Sequence, residues 1–223
     1  MSDPTGFPAG SPLATLRRIS TRPRPAANEV PEERCDMCAE PVPEEHGHVV
    51  DLNSRRLMCS CRGCYLLFTA DNAELRFRAV PDRYLHFPGF VFTTADWDSL
   101  QIPVGLAFCF RNSVQKEMVV FYPSPAGATE SDLPMAAWET MLASNPDLAQ
   151  VRDDVEALLV HRNDDGEFSC HIVPIDACYA LVGTMRNTWR GFDGGQEARA
   201  ALADFFDDVD RRSRPAKPVG DAQ

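Results

Sequence analysis

Apolar residues recur with two different periods along most of this chain, and together they predict a mixture of strands and helices. Short runs rich in β-branched and aromatic residues, bounded by turn-forming residues, predict strands at residues 103–111, 116–122, 155–161 and 167–174. Apolar residues recurring every three or four positions predict helices at residues 133–144, 176–189 and 195–209. The expected class is α+β, with antiparallel strands and C-terminal helices.

Residues that favour turns and helix starts set the expected boundaries of these elements. Asn112 and Ser113 predict a hairpin between the first two strands. Asp132 and Asp176 are predicted N-caps, because a carboxylate can accept hydrogen bonds from the first N–H groups of a helix. Residues 124–132, SPAGATESD, are small and polar and are interpreted as a turn and capping segment.

Proline is concentrated near the start of the chain and recurs in its polar tail. Proline removes a backbone donor and breaks periodicity, so residues 1–33 are interpreted as a disordered leader and residues 212–223 as a disordered tail. Between them we expect a cysteine-rich metal-binding unit at residues 34–83 and a mixed α+β domain at residues 84–211.

Composition and charge narrow the class of partner. The 223 residues are 44% hydrophobic, which is enough for a core, and their formal net charge is −11. An acidic chain repels phosphate backbones and anionic membranes at long range. No apolar run approaches the roughly 20 residues of a membrane span, and the first residues lack a basic and apolar signal. We expect a cytoplasmic protein with neither nucleic acid nor membrane as a partner.

Five of the eight cysteines lie between residues 35 and 64, and their spacing is the most informative feature of the sequence. Cys35 and Cys38 are separated by two residues, and so are Cys61 and Cys64. Two such pairs in an intracellular chain are typical of a metal site, because each short turn points two thiolates at one ion. These four residues are the predicted ligands of a tetrahedral ion.

The segment between the two pairs predicts a hairpin. Asn53 and Ser54 favour a two-residue turn between flanking apolar strands. The resulting register pairs Asp51 with Arg56, Val50 with Leu57, Val49 with Met58, His48 with Cys59 and His46 with Cys61. The opposite charges of the first pair support this register. Residues 61–77 then predict a helix that carries the second cysteine pair in its first turn, where the helix end favours thiolates.

A knuckle, a hairpin and a helix in this order resemble a treble-clef zinc finger over residues 35–68. Ala39 departs from the pattern, because glycine usually follows the knuckle. Cys59, His46 and His48 are surplus donors. Cys59 is either an alternative to Cys61 or a packing residue, and the histidines are additional ligands, supports of the ligands or exposed residues of the strand. Four thiolates favour structural zinc, whereas iron, either single as in rubredoxin or in a cluster, is the alternative metal.

The remainder of the sequence favours interaction over catalysis. It holds no GxSxG, HExxH or nucleotide-binding fingerprint, and no cysteine–histidine nucleophile pair outside the metal-like cluster. Cys109, Cys170 and Cys178 have apolar neighbours and are interpreted as core residues. A candidate interaction surface follows the second helix and contains Trp189, Arg190 and Phe192.

Three stretches together resemble a family of proteins encoded in actinobacterial gene clusters for nickel–iron uptake hydrogenases. They are the cysteine and histidine pattern of residues 35–64, FYPSPAGATES at residues 121–131, and PIDACYALVG with WRGFDGG at residues 174–195. The resemblance implies an accessory or maturation role, with a hydrogenase subunit or a maturation factor as the protein partner.

Three functions remain open on the sequence. The favoured one is a non-catalytic zinc-binding accessory protein that binds a hydrogenase component. The second is a rubredoxin-like electron carrier or a thiol redox sensor, with Cys59 as the resolving thiol. The third is a zinc-dependent enzyme with an open coordination position, in which His46 or His48 and Cys59 are ligands.

Overall fold

The computed structural model describes residues 32–69, 76–124, 127–131, 135–163, 165–191 and 194–218. Contacts between Cα atoms group Arg34–Gln223 into one compact unit. The predicted leader lies outside the described residues up to residue 31. Of the tail that is predicted to be disordered over residues 212–223, Arg212 ends a helix and Arg214–Pro215 forms a strand, and residues from 219 lie outside the described part. The boundary between a metal-binding unit and an α+β domain at residue 84 stays a prediction.

The cysteine-rich part forms a small antiparallel sheet with one short helix. Its elements are β1 (Gly47–Asp51), β2 (Arg56–Ser60), α1 (Arg62–Leu66) and β3 (Phe77–Ala79). The strand order is β2-β1-β3. The prediction of a helix over residues 61–77 is wrong at its C-terminal end. Phe77–Ala79 lies along the open edge of β1 and exchanges backbone hydrogen bonds with it, and that pairing excludes the helix there.

The larger sheet has seven strands. They are β4 (Leu85–His86), β5 (Leu106–Asn112), β6 (Glu117–Ser124), β7 (Gly127–Ser131), β8 (Glu156–Arg162), β9 (Phe168–Pro174) and β10 (Arg214–Pro215). The spatial order is β10-β4-β9-β8-β5-β6-β7. All pairs are antiparallel except that of β10 with β4, which is parallel.

Helices pack on both faces of this sheet. They are α2 (Thr94–Ser99), α3 (Met135–Ser144), a 3-10 turn (Pro146–Gln150), α4 (Ile175–Thr188) and α5 (Gly195–Arg212). Helices α4 and α5 supply Leu181 and Phe206 to a cluster that also buries Phe108 of the sheet. On the opposite face, Trp97 of α2 and Met141 of α3 pack on the sheet. Burial on both faces explains why the central strands are continuously apolar.

The α+β class with antiparallel strands and C-terminal helices is confirmed. The four predicted strands and the two C-terminal helices are present, with ends shifted by at most three residues. The interpretation of residues 124–132 as a turn is wrong, because Gly127–Ser131 pairs along β6 as strand β7. The predicted cap at Asp132 lies outside the described residues. The predicted cap at Asp176 is also wrong: α4 begins at Ile175, with Pro174 in the N-cap position.

A third cluster of apolar residues joins the small sheet to the large one. Val50 of β1 and Val80 after β3 are buried against Val155 and Ile175, which flank the large sheet. The cysteine-rich part is therefore packed against the large sheet at the point where β8 and α4 begin. No helix in the described part of the chain is both long enough and apolar enough to span a membrane.

Candidate metal centre

The first cysteine pair lies on a tight knuckle. The backbone N–H of Cys35 donates to Glu40 O at 2.8 Å, and the N–H of Ala39 donates to Cys35 O at 2.9 Å. The chain can reverse this sharply because Ala39 has a left-handed backbone, with φ of 62°. Glycine adopts this conformation without the steric penalty that alanine carries. Ala39 therefore holds the left-handed turn position in which glycine is usual, and it carries the steric penalty that glycine would avoid.

The second cysteine pair is positioned by the start of α1. Cys61 is the N-cap residue, and its carbonyl accepts from the Tyr65 N–H at 2.9 Å, while Cys64 lies inside the helix. The Tyr65 ring fixes the helix on β1, since a Cβ atom on Gly47 would lie 2.6 Å from Tyr65 Cδ2. The Tyr65 hydroxyl also donates to Val80 O at 2.8 Å. Only glycine at position 47 leaves room for this contact.

The structure brings the sulfur atoms of Cys35, Cys38, Cys61 and Cys64 within 4.8 Å of one another. Cys38 Sγ and Cys61 Sγ are 3.6 Å apart. A zinc ion with bonds of about 2.3 Å to sulfur requires an edge of about 3.8 Å between sulfurs, so the four fit a tetrahedral ion. Cys59, the alternative to Cys61, lies in a different group of donors. The four cysteines can therefore hold a metal ion.

The pKa values of two of the four thiols, Cys35 and Cys64, shift in opposite directions. Burial raises the pKa of Cys35, but hydrogen bonds from the backbone of Cys61, Cys38 and Met37 outweigh it and lower that pKa to about 6. The Cys38 thiol, together with burial, raises the pKa of Cys64 to about 12. Four adjacent thiolates repel one another, so full deprotonation of the set needs a cation at its centre.

The hairpin register is confirmed for four predicted pairs, from Asp51–Arg56 to His48–Cys59. The strands end at Gly47–Ser60, so the predicted pair of His46 with Cys61 is not formed. The turn is also longer than predicted. It spans residues 52–55 and closes with the Arg55 N–H donating to Asp51 O at 2.7 Å, because Arg55 adopts a left-handed backbone.

The predicted cross-strand ion pair of Asp51 with Arg56 is wrong, because each residue has another partner. Asp51 is buried and accepts from Arg76 Nε at 2.9 Å and Nη2 at 2.6 Å. The Arg76 guanidinium holds the pKa of Asp51 well below its usual range. Arg56 instead donates to Asp36 at 2.8 Å, which links the knuckle to β2.

The surplus donors form a second group. Nitrogen atoms of His46 and His48 and the sulfur of Cys59 all lie within 4.8 Å of one another. The sequence does not predict that Asp176 contacts this group: its Oδ2 is 2.8 Å from His48 Nδ1. Asp176 enters from α4, far along the chain, so only the tertiary structure reveals it.

The other candidate residues lie away from these groups. Trp189 lines a cleft of about 140 Å³ together with Leu106 and Leu202. Arg190 is exposed beside it, and Phe192 lies outside the described residues. The three remaining cysteines are buried, and burial raises the pKa of each thiol, which disfavours the reactive thiolate; they are Cys109, Cys170 and Cys178.

One family model matches residues 34–213, and its description is a family of unknown function, DUF5947. The chain belongs to this family. The DUF5947 match includes both donor groups and every strand of the large sheet except β10, which begins one residue after the match ends. No curated protein and no solved structure matches the chain. The predicted association with hydrogenases stays a prediction.

Proposed function

We propose that this protein is a cytoplasmic, non-catalytic zinc-binding accessory protein whose ion is held by Cys35, Cys38, Cys61 and Cys64. The observation that carries the proposal is the approach of four sulfur atoms to within 4.8 Å of one another. Four protein thiolates complete a tetrahedral site and leave no position for a reacting water, which favours a structural over a catalytic ion.

The packing around the site also favours a structural ion. Helix α1 has five residues, all described, and none of them is buried. A helix of this length is not stable by itself, and its packing on β1 rests on the half-buried Tyr65 ring. Ligation of Cys61 and Cys64 to the ion that also binds the knuckle supplies the missing free energy. Zinc suits this role because it has no redox chemistry and accepts tetrahedral thiolates.

The metal is tested on full-length protein purified without oxygen and treated with a weak chelator. Elemental analysis should find one tightly held zinc per chain in a colourless sample. A visible absorption band that bleaches with dithionite would identify iron and overturn the assignment. The variant Cys38→Ser should lose the tightly held ion, whereas Cys170→Ala, which removes a buried thiol in the large sheet, should retain it.

We further propose that the large sheet and its helices bind a nickel–iron hydrogenase subunit or a maturation factor of that enzyme. The support is the sequence resemblance over residues 35–64, 121–131 and 174–195. Trp189 and Arg190 beside the cleft are the candidate contact residues, since aromatic residues and arginine dominate binding hot spots.

The partner is tested by affinity purification from cells that make the hydrogenase. Wild-type protein should retain a hydrogenase component, and Arg190→Glu should reduce its recovery. Lys217→Glu is the matched control, because it makes the same charge change at another exposed position. Recovery of no hydrogenase component, together with unchanged hydrogenase activity in a deletion strain, would overturn the proposal.

A further inference from the structure

Outside the four-cysteine group, the structure assembles a second set of metal-ligating side chains. His48 and Cys59 are directly opposite on β1 and β2, and His46 precedes β1. The two imidazole rings have centroids 4.8 Å apart, and all three side chains are half-buried. Their donor atoms lie within 4.8 Å of one another. The set is separate from the four cysteines, although both use strand β2 and its end.

Hydrogen bonds show which nitrogen of each histidine carries a proton. His46 Nδ1 is 2.8 Å from Pro43 O, and a carbonyl oxygen can only accept, so the proton is on Nδ1. His48 Nδ1 is 2.8 Å from a carboxylate oxygen of Asp176, which also accepts. An imidazole that carries only this Nδ1 proton has its lone pair on Nε2. An Nε2 lone pair is the form of histidine that binds a metal ion.

The Asp176–His48 contact has the form of a support for a metal ligand. A carboxylate that accepts from the far nitrogen of a ligating histidine orients the ring and increases its basicity. Asp176 is itself held in place, because its Oδ1 accepts from the Ala177 N–H at 2.8 Å in the first turn of α4. The small sheet does not contain Asp176, which comes from α4. The second set therefore has its supporting carboxylate only where the small sheet packs against the start of α4.

We propose that His46 Nε2, His48 Nε2 and Cys59 Sγ bind a second divalent transition-metal ion of the zinc class, separate from the four-cysteine ion. Tetrahedral coordination requires donors about 3.3 to 3.6 Å apart, whereas one ring nitrogen of each histidine and the Cys59 sulfur lie within 4.8 Å of one another. Binding of an ion therefore requires the donors to approach one another by about 1 to 1.5 Å through side-chain rotation. Two imidazoles and one thiolate suit zinc and its cobalt substitute. Three protein ligands leave a fourth position for water or an exchangeable ligand, which the four-cysteine site lacks.

The test is a Co²⁺ titration of the full-length protein after weak chelation, without oxygen. Wild-type protein should take up one equivalent with a thiolate-to-cobalt charge-transfer band, while elemental analysis shows the four-cysteine zinc retained. His46→Gln/His48→Gln should lose that equivalent and keep the zinc. His86→Gln, a histidine outside the set, is the matched control and should bind as wild type does. An unchanged equivalent in the double variant would overturn the proposal, as would no uptake by wild type.

Two further variants keep the test decisive. Cys59→Ser should lose the charge-transfer band with an unchanged circular dichroism spectrum, and it replaces the double variant if that one does not fold. A band that persists in Cys59→Ser overturns the proposal. Asp176→Asn should weaken cobalt affinity about 10- to 100-fold without changing the stoichiometry, as expected for a group that positions a ligand. Loss of the second ion alone leaves the zinc proposal intact, because zinc is measured in the same samples.

Discussion

The two sheets of this protein are held together in different ways. The large sheet is covered on both faces, and its central side chains, such as Phe108 and Leu158, are almost fully buried. The small sheet has three short strands, a helix that buries none of its five residues, a few buried apolar residues such as Val49 and Val50, and four converging thiols beside it. Burial of apolar area stabilises the first region, whereas the second depends on ligation. Variants in each region should therefore have effects of different size and extent.

Removal of the four-cysteine ion should have the largest effect, and it should be local. Structural zinc contributes on the order of 10 kcal/mol in small metal-dependent units. In Cys35→Ser/Cys38→Ser, amides of β1, β2 and α1 should lose protection from hydrogen exchange, while those of β8 and β9 keep it. Cys170→Ala serves as the control for loss of a buried thiol. Retained protection in the small sheet would contradict the dependence on ligation.

A buried ion pair at the junction of the two regions should have the next largest effect. Glu156 is fully buried and accepts from Arg83 Nε at 2.7 Å and Nη2 at 2.5 Å. Arg83→Met leaves that carboxylate buried without its partner and should lower the free energy of unfolding by about 3 to 5 kcal/mol. Urea denaturation measures the change.

The exposed pair of Arg211 with Asp208 is the matched comparison for that variant. Arg211→Met should cost under about 1 kcal/mol, since exposed ion pairs contribute little. The double variant Arg83→Met/Glu156→Leu should regain much of the stability lost in Arg83→Met, because the buried charge is then absent. Equal costs for the two single variants would show that burial of Glu156 is not what matters.

The large sheet should also carry a pH dependence of its own. Burial lowers the pKa of His171 below 6.5, despite Asp210 at 3.0 Å from its Nε2. Between the folded pKa and the unfolded pKa of about 6.5, the unfolded chain binds more protons, so stability falls as the pH falls through this window. Urea midpoints should decrease accordingly from about pH 8 to about pH 5. His171→Gln should reduce that slope, and an unchanged slope would contradict the assignment.

The smallest expected effect concerns the knuckle. Ala39 has φ of 62°, so Ala39→Gly should stabilise the small sheet by up to about 1 kcal/mol, measured as an increase in zinc affinity. Ala128→Gly is the matched control, because Ala128 is an exposed residue of strand β7 without a left-handed backbone. That change should instead destabilise by about 0.5 to 1 kcal/mol. A loss of zinc affinity in Ala39→Gly would show that the turn does not strain alanine.

Local patterns predicted most of the fold. Alternation and turn residues identified the hairpin register from Asp51–Arg56 to His48–Cys59, because these signals act between neighbours in sequence. The short strands β4 and β10 have two residues each and carry no detectable period. The small polar residues of strand β7 are typical of a loop, so the sequence predicts a turn there. Pairing with β6 determines its actual conformation.

The sequence predicts which residues form the candidate sites, but it does not predict the hydrogen-bond partners that hold those residues in place. Spacing alone indicated the four cysteines, since two residues between ligands is a local property. The partners of Asp51, Arg56 and His48 come from the residue before β3, from the knuckle and from α4. The opposite charges of Asp51 and Arg56 in the hairpin suggest an ion pair that does not form. The buried Asp51 carboxylate binds Arg76 instead, because that guanidinium donates two hydrogen bonds to it.

Cys59 gives the two donor groups a common element. Its N–H donates to the Asp36 carboxylate at 2.8 Å and its carbonyl accepts from the Asp36 N–H at 2.9 Å, within the loop between Cys35 and Cys38. Its side chain belongs to the histidine group. An ion bound to the four cysteines and an ion bound to the histidine group would therefore both restrict the backbone of Asp36 and Cys59. Under the two-ion proposal, occupancy of one place should raise the affinity of the other, and thermodynamic linkage makes that cooperativity reciprocal.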